Sequence, residues 1–147
     1  MSCYRLLRRA LPDDEVVESV DHLHLEPLPR VVQTARTFVR DRLPAGLSDE
    51  TVETVLLLTS ELVTNAVLHA RTVIEVGITV TTNKVLVTVH DEDLGRPSDS
   101  YPGREGGRGL GLVAAMAEET ATEKHLGEGK TVWFRLARTD LDAEAGA

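Results

Sequence analysis

Cysteine is almost absent from this 147-residue chain, because Cys3 is the only one. A single cysteine cannot form a disulfide within the chain, so nothing points to an oxidising compartment. Long apolar runs are missing as well: the longest strongly apolar run, residues 55–58, is far shorter than the ~20 residues that span a bilayer. Acidic residues stand at positions 13–15, where a secretory signal needs apolar ones. The sequence therefore predicts a cytoplasmic protein that neither spans nor binds a membrane.

Basic residues are in the minority, with 16 Lys plus Arg against 24 Asp plus Glu and a formal net charge of −8. A general binder of phosphate backbones needs a basic face, so direct nucleic-acid binding is not expected. Hydrophobic residues make up 41% of the chain and charged residues 27%, which are globular proportions. A chain of this length suits one domain that buries roughly 70% of its unfolded surface.

Hydrophobic periodicity predicts alternating helices and strand pairs. Strands are predicted at residues 22–26, 72–81, from 85 onward, 120–125 and 131–137, and helices at 28–43, 48–70 and 110–119. Because the strands come in consecutive pairs, we expect an α+β fold, a two-layer α/β sandwich whose sheet is mostly antiparallel or mixed, with the helices packed on one face. We expect a loosely ordered arm over residues 1–20, the domain over 21–138, and a tail over 139–147.

A polar face is predicted on the longest helix, in the string SELVTNAVLHA. Ser48 is a favourable N-cap for this helix, and Glu61, Asn65 and His69 follow at four-residue spacing. A step of four residues moves only about 40° around a helix, so these three share one face. An amide oxygen suits Mg²⁺ and a carboxylate one turn away can take a proton. The alternative is that Asn65 is a satisfied core amide beside a solvated edge.

Two further polar clusters follow. The string HDEDLGRP at 90–97 comes after a hydrophobic strand, and its first aspartate, Asp91, can project a carboxylate into a crevice; an ordinary acidic turn is the alternative.

In GGRGLGLVAAMA at 106–117, glycines alternate where a helix is predicted to begin. Glycines there let backbone amides approach an anion, although a flexible hinge explains them equally well. The Walker pattern GxxxxGK[ST] is absent.

Taken together and in this order, ExxxN on a helix, an aspartate after a strand, GxGLGL before a helix and a GKT turn resemble the Bergerat ATP-binding fold of the GHKL superfamily, which includes DNA gyrase and histidine kinases. The strings SELVTNAVLHA, GRGLGLV and GKTVWF look like the anti-sigma factor serine/threonine kinases, and within them like the stand-alone ATP-binding regulators of actinobacteria. The resemblance covers roughly residues 20–138.

The resemblance implies Mg·ATP as ligand and assigns roles to matching residues. Asn65 would bind Mg²⁺, Glu61 would be the general base, and Asp91 would recognise the adenine amine. The segment 94–108 would be an ATP lid that surrounds the phosphates and supplies cations for the γ-phosphate. The implied ATP-binding residues are Asn65, His69, Asp91, Gly95, Arg104, Gly107, Arg108, Gly109, Leu110, Gly111 and Thr131.

The chain departs from the family pattern at two places. The family's DxGxG loop is Asp91-Glu92-Asp93-Leu94-Gly95 here, so Asp93 replaces the first glycine. We prefer Asp91 as the adenine ligand because it directly follows the strand; starting the motif at Asp93 keeps that glycine but puts Pro97 in place of the second. In the GKT turn, Lys130 stands where the family usually has its first threonine.

Two functions remain open at this point. In the first, the protein phosphorylates a serine on an anti-sigma factor antagonist and binds a sigma factor when free, and the resemblance suggests a homodimer. In the second, it is a non-catalytic module of the same fold that acts only by protein contact. The Glu61 and Asn65 pair favours the first function, and the altered glycine loop favours the second.

Overall fold

The fold is a five-stranded sheet covered by helices, and we describe it from a computed structural model. The structure describes residues 9–70, 72–93 and 105–139, and only the backbone of residues 105–108. Its elements are, in chain order, β1 (Val17–Leu25), α1 (Val31–Arg42), α2 (Asp49–His69), β2 (Ile74–Thr81), β3 (Lys84–Asp91), α3 (Glu105–Met116), β4 (Glu119–His125) and β5 (Gly129–Ala137). The strand order is β1-β2-β3-β5-β4, and every neighbouring pair is antiparallel. The predicted α+β sandwich with a mostly antiparallel sheet is confirmed.

The main core lies between the helices and one face of the sheet. Alternate residues of β3, Val85, Val87 and Val89, are fully or almost fully buried there, together with Leu58 and Leu62 of α2. The intervening residue Leu86 points to the opposite face, where it packs with Trp133, Ala10 and Leu11. The alternation along β3 thus tells which side of the sheet each residue faces.

Helix α2 is the central helix of the domain. Its N-cap is confirmed: the Ser48 hydroxyl oxygen accepts a hydrogen bond of 3.2 Å from the Thr51 backbone N–H, and Asp49 and Glu50 occupy the first turn. By length and a mean hydropathy of 1.3 it is also apolar enough to cross a membrane. In this fold, however, α2 packs against α1, α3 and the sheet, which accounts for its apolar composition.

The N-terminal strand is longer than predicted. It begins at Val17, within the stretch expected to form a loose arm, and pairs with β2 from Val17 to Leu25. Glu15, just before it, accepts hydrogen bonds from the Thr81 hydroxyl and from Asn83, and these bonds lower its pKa. Periodicity does not detect this part of the strand, because Val17 and Val20 are exposed on an edge of the sheet and the pairing partner lies about sixty residues away in the chain.

Helix α3 begins earlier than predicted. The expected helix starts at residue 110, whereas α3 runs from Glu105 to Met116 and includes the alternating glycines. The sequence places the alternating glycines where the helix begins, whereas Gly107, Gly109 and Gly111 all lie within α3. Each helical glycine costs up to about 1 kcal/mol relative to alanine. Packing of α3 against α2 compensates for this cost. Of the proposed lid over 94–108, residues 94–104 lie outside the described residues, and the backbone of 105–108 is helical.

The start of β5 lies unusually close to the end of β3. Gly129 has φ +82°, and a Cβ on it would lie 2.7 Å from Glu92 Cα and overlap the Asp91 carbonyl oxygen. Gly127, in the same turn, has a similar φ of +74° but faces open space. Only glycine therefore fits at Gly129, for reasons of both conformation and space.

We expect Gly129→Ala to destabilise the protein more than Gly127→Ala, as measured by urea unfolding. At Gly127 the alanine pays only for its positive φ, about 1–2 kcal/mol. At Gly129 the added Cβ also overlaps the β3 backbone, so the free energy of unfolding should fall by at least about 1 kcal/mol more than at Gly127. Equal losses in the two variants would show that β5 does not approach Asp91 this closely.

Candidate functional site

Helix α2 presents a polar face near its C-terminal end, as the sequence predicts. Glu61, Asn65 and His69 are each half-buried and stand four residues apart, and the neighbouring residues Leu62 and Ala66 are buried. Within the described part of the chain, none of these three side chains has a hydrogen-bond or ion-pair partner. Half-buried polar groups without a protein partner remain available to a ligand that can pair with them.

The first turns of α3 lie against this face. A Cβ built on Gly109 would lie 2.7 Å from the Glu61 Oε2 atom, so the carboxylate occupies the space that the missing side chain leaves. Gly111 faces open space, and Leu110 is partly buried against the main core. The fold therefore brings together two of the three polar clusters that the sequence singles out, although the glycines contribute from within a helix.

Asp91 ends β3 as a buried carboxylate, only 2% exposed. It follows Val89 in the alternation, so it faces the helices. Its Oδ1 atom accepts a hydrogen bond of 2.9 Å from the Asp93 backbone N–H. The Lys130 Nζ atom lies 3.3 Å from Oδ1 and 3.1 Å from Oδ2. A buried charge needs such partners, and among the described residues Lys130 is the cation beside this carboxylate.

These groups lie at one end of the fold. Helix α2 ends at His69 and the chain enters β2 at Ile74, whose register partner is Asp91 at the end of β3. Strand β5 starts beside Asp91, because Lys130 is its register partner. The polar face of α2 and the Asp91–Lys130 pair therefore border the same end of the sheet, on its helical side.

Thr131 is not brought to Asp91. Its hydroxyl Oγ1 lies 2.8 Å from His90 Nδ1 and 3.0 Å from His125 Nε2. Successive residues of a strand point to opposite faces, so Thr131 faces away from the helices while Lys130 faces Asp91. The residue that shares the site with Asp91 is thus the lysine that precedes the predicted threonine. The alternation along β5 indicates this orientation in the sequence. Lys130, Val132 and Phe134 share one face of the strand, and Val132 and Phe134 belong to the main core.

Four other predicted residues are only partly described or not described. Gly95 and Arg104 lie outside the described residues. Gly107 and Arg108 lie in α3, where the structure describes the backbone alone. Their predicted roles at the phosphates remain predictions.

The residues present suit a magnesium ion that is held mainly by a ligand. Among the described residues, no group of three or more His, Cys, Asp or Glu side chains could hold a metal ion alone. Magnesium in phosphate sites typically takes one or two protein oxygens, with phosphates and waters completing its shell. The unpaired, half-buried amide of Asn65 can supply one such oxygen.

A cavity of about 440 Å³ opens at the other end of α2. Ser48, Thr51, Glu118 and Thr139 line part of it, but these polar groups are already engaged. The Ser48 and Thr51 hydroxyls bond each other at 2.9 Å, and Glu118 pairs with Lys84 and Arg135. Burial raises the pKa of Glu118, but those cations outweigh burial and hold the pKa below its ordinary value. We therefore place the candidate site at the Asp91 end.

Comparison with known proteins agrees with the fold described above. A family model described as a histidine kinase-like ATPase domain matches residues 25–136. No curated protein matches the chain. Among solved structures, the RsbU and RsbW domains of Rv1364c from Mycobacterium tuberculosis match with a TM-score of 0.63 and 20% sequence identity. That match covers 82% of this chain and 33% of the other, so the chain spans about a third of its length. The similarity shows a shared fold.

Glycine-to-alanine substitutions in α3 test the contact between α3 and Glu61. We expect Gly111→Ala to raise the free energy of unfolding by about 0.5–1 kcal/mol, because alanine favours the helix and its Cβ meets nothing. Gly109→Ala should gain less, because its Cβ displaces the Glu61 carboxylate. Urea unfolding of the two variants measures this difference. An equal gain at both positions would mean that Glu61 does not lie against Gly109.

Proposed function

Because the chain belongs to the family of histidine kinase-like ATPase domains, we propose that it binds Mg·ATP at the Asp91 end of the fold and transfers the γ-phosphoryl group to a protein serine or threonine. One observation supports this most strongly: the unpaired polar face of α2, the first turns of α3 and a buried carboxylate border one end of the sheet. An adenine nucleotide with its phosphates and Mg²⁺ offers a partner to each of them.

The proposed contacts follow from the chemistry of each group. Asp91 carries acceptor oxygens for the exocyclic amine of the base. The Asn65 amide oxygen is a ligand for Mg²⁺, and His69 on the same face borders the nucleotide. The first turn of α3, which begins at Glu105 and includes Gly107, offers unpaired backbone N–H groups and a favourable potential to the phosphates. Gly109 and Gly111, in the next turn, keep the role at the phosphates that the sequence resemblance implies. Gly95, Leu110, Arg104 and Arg108 complete the proposed site as the sequence resemblance implies.

Glu61 is the proposed general base. The hydroxyl oxygen of the substrate attacks the γ-phosphorus, the bond from that phosphorus to the β,γ-bridging oxygen breaks, and ADP leaves. The hydroxyl proton passes to the Glu61 carboxylate, which lies one turn from Asn65 on the same face. Mg²⁺, when bound, neutralises phosphate charge. Positioning and charge neutralisation account for most of the catalysis in reactions of this kind.

The proposed biological role is partner switching. The sequence strings that resemble anti-sigma factor kinases support it, and so does the fold shared with the structure that contains an RsbW domain. In this role the protein, as a cytoplasmic homodimer, would phosphorylate an anti-sigma factor antagonist and bind a sigma factor when the antagonist is absent. Proteins, rather than nucleic acids or membranes, are its proposed partners.

A second candidate function is a non-catalytic adaptor of the same fold. The observation that favours it is the Asp91–Lys130 pair, in which the proposed base-recognition carboxylate is already engaged. Asp93 in place of the loop glycine points in the same direction. An adaptor would need the fold and its surfaces but not the basicity of Glu61.

Substitutions at Glu61 and Asn65 separate the two functions. We expect Glu61→Gln to bind Mg·ATP almost normally but to phosphorylate a verified substrate at least about a hundredfold more slowly, because a general base typically contributes 10²–10⁴-fold in rate. Asn65→Ala should weaken Mg·ATP binding itself. Calorimetry and a phosphoryl-transfer assay measure the two effects.

Glu53→Gln is the matched control, since Glu53 is an exposed glutamate on the same helix and should behave as wild type. Equal phosphorylation by wild type and Glu61→Gln would remove the general-base role. Tight Mg·ATP binding without phosphorylation in either protein would favour the adaptor.

A further inference from the structure

The lysine at position 130 engages the carboxylate of Asp91. Its ammonium lies within 3.3 Å of Oδ1 and 3.1 Å of Oδ2, while the Asp93 N–H occupies Oδ1 at 2.9 Å. The carboxylate itself is 2% exposed, and the lysine side chain 20% exposed. An incoming ligand therefore meets the ammonium of Lys130 as well as the carboxylate behind it.

The fold keeps this ammonium in place. Asp91 and Lys130 are register partners across β3 and β5, and the close approach of Gly129 to the Asp91 carbonyl fixes the two strands there. Moving the ammonium away would leave a buried carboxylate without a cation, which is strongly unfavourable. Lys130 is thus part of the surface that the base would contact.

Lys130 reverses the hydrogen-bonding character of that surface. A carboxylate accepts hydrogen bonds, so it selects a base with an amine at this position. An ammonium only donates, so it opposes an amine donor and pairs with a carbonyl oxygen. A purine with an oxo group in place of the amine therefore loses much less at this surface than it would at a free carboxylate.

We propose that Lys130 is a specificity-determining residue, which engages Asp91 and thereby removes most of the site's preference for the adenine amine. The site then accepts 6-oxo purine nucleoside triphosphates about as well as ATP. This inference rests on the proposed function, because it concerns the base contact of the same nucleotide site.

The test compares ATP with inosine triphosphate, whose base carries an oxo group where adenine has its amine. Calorimetric titrations with Mg²⁺ would be made on wild type, Lys130→Thr and Lys84→Thr. We expect wild type to bind the two nucleotides within about threefold of each other. Lys130→Thr frees Asp91 and should favour ATP by at least about tenfold, the effect of roughly one hydrogen bond to a charged group.

Lys84→Thr is the matched control. Lys84 also forms an ion pair, with Glu118 at 2.6 Å, and is 19% exposed, but it lies at the opposite end of β3. Its ratio of ATP to inosine triphosphate affinity should equal that of wild type. If loss of an ion pair weakens nucleotide binding by destabilising the protein, Lys84→Thr should show that weakening too. A change in the preference between the two bases should appear only in Lys130→Thr.

The ratio of ATP affinity to inosine triphosphate affinity in wild type tests the inference even if Lys130→Thr does not fold. A wild-type preference for ATP of about tenfold or more would overturn the inference, and so would an unchanged ratio in a folded Lys130→Thr. In both cases nucleotide binding, and with it the proposed function, would stand. If wild type binds neither nucleotide, the proposed function fails and the inference fails with it.

Discussion

A single buried carboxylate determines how this end of the molecule is built. Asp91 is almost inaccessible to solvent, and a charge in that environment is tolerated only with close partners. The Lys130 ammonium and the Asp93 N–H supply them. For the lysine to reach Asp91, β5 must begin directly beside the end of β3, which in turn requires glycine at position 129. The register of β3 against β5, the turn before β5 and the candidate site therefore all depend on the Asp91–Lys130 pair.

Helix α2 provides the other half of the candidate site. Its apolar residues pack against the sheet and the neighbouring helices, and Glu61 and Asn65 lie on a half-buried stripe beside that packed surface. The first turns of α3 approach this stripe through Gly109, which has no side chain to exclude the carboxylate. The result is a half-buried polar face at the same end as Asp91. The ligand that we propose for all of these groups is a nucleotide with its metal ion.

Local patterns predict much of this architecture. The Ser48 cap, the periodicity of α2 and the alternation of β2 and β3 are local signals, and the structure has these elements within one to two residues of the bounds that the sequence predicts. The polar stripe on α2 follows from four-residue spacing alone. The position of Asp91 at the end of a strand likewise follows from the hydrophobic run that precedes it.

What local patterns miss depends on contacts distant in sequence. Helix α3 starts early although its glycines have a low helix propensity, because packing on α2 stabilises it. The N-terminal half of β1 has exposed valines and forms through pairing with β2. The Asp91–Lys130 pair joins residues 39 positions apart, so it becomes apparent only when β3 and β5 are aligned. Their alignment also shows that Lys130, rather than Thr131, faces the site.

The most direct test of the account is a map of where Mg·ATP binds. Amide NMR spectra recorded during a titration with Mg·ATP report perturbed residues throughout the chain. The account predicts that shifts concentrate at Glu61–His69, at Asp91–Asp93 and in the first turns of α3. No shifts at saturating nucleotide would contradict the account. So would shifts confined to the cavity at the other end of α2, around Ser48 and Thr139.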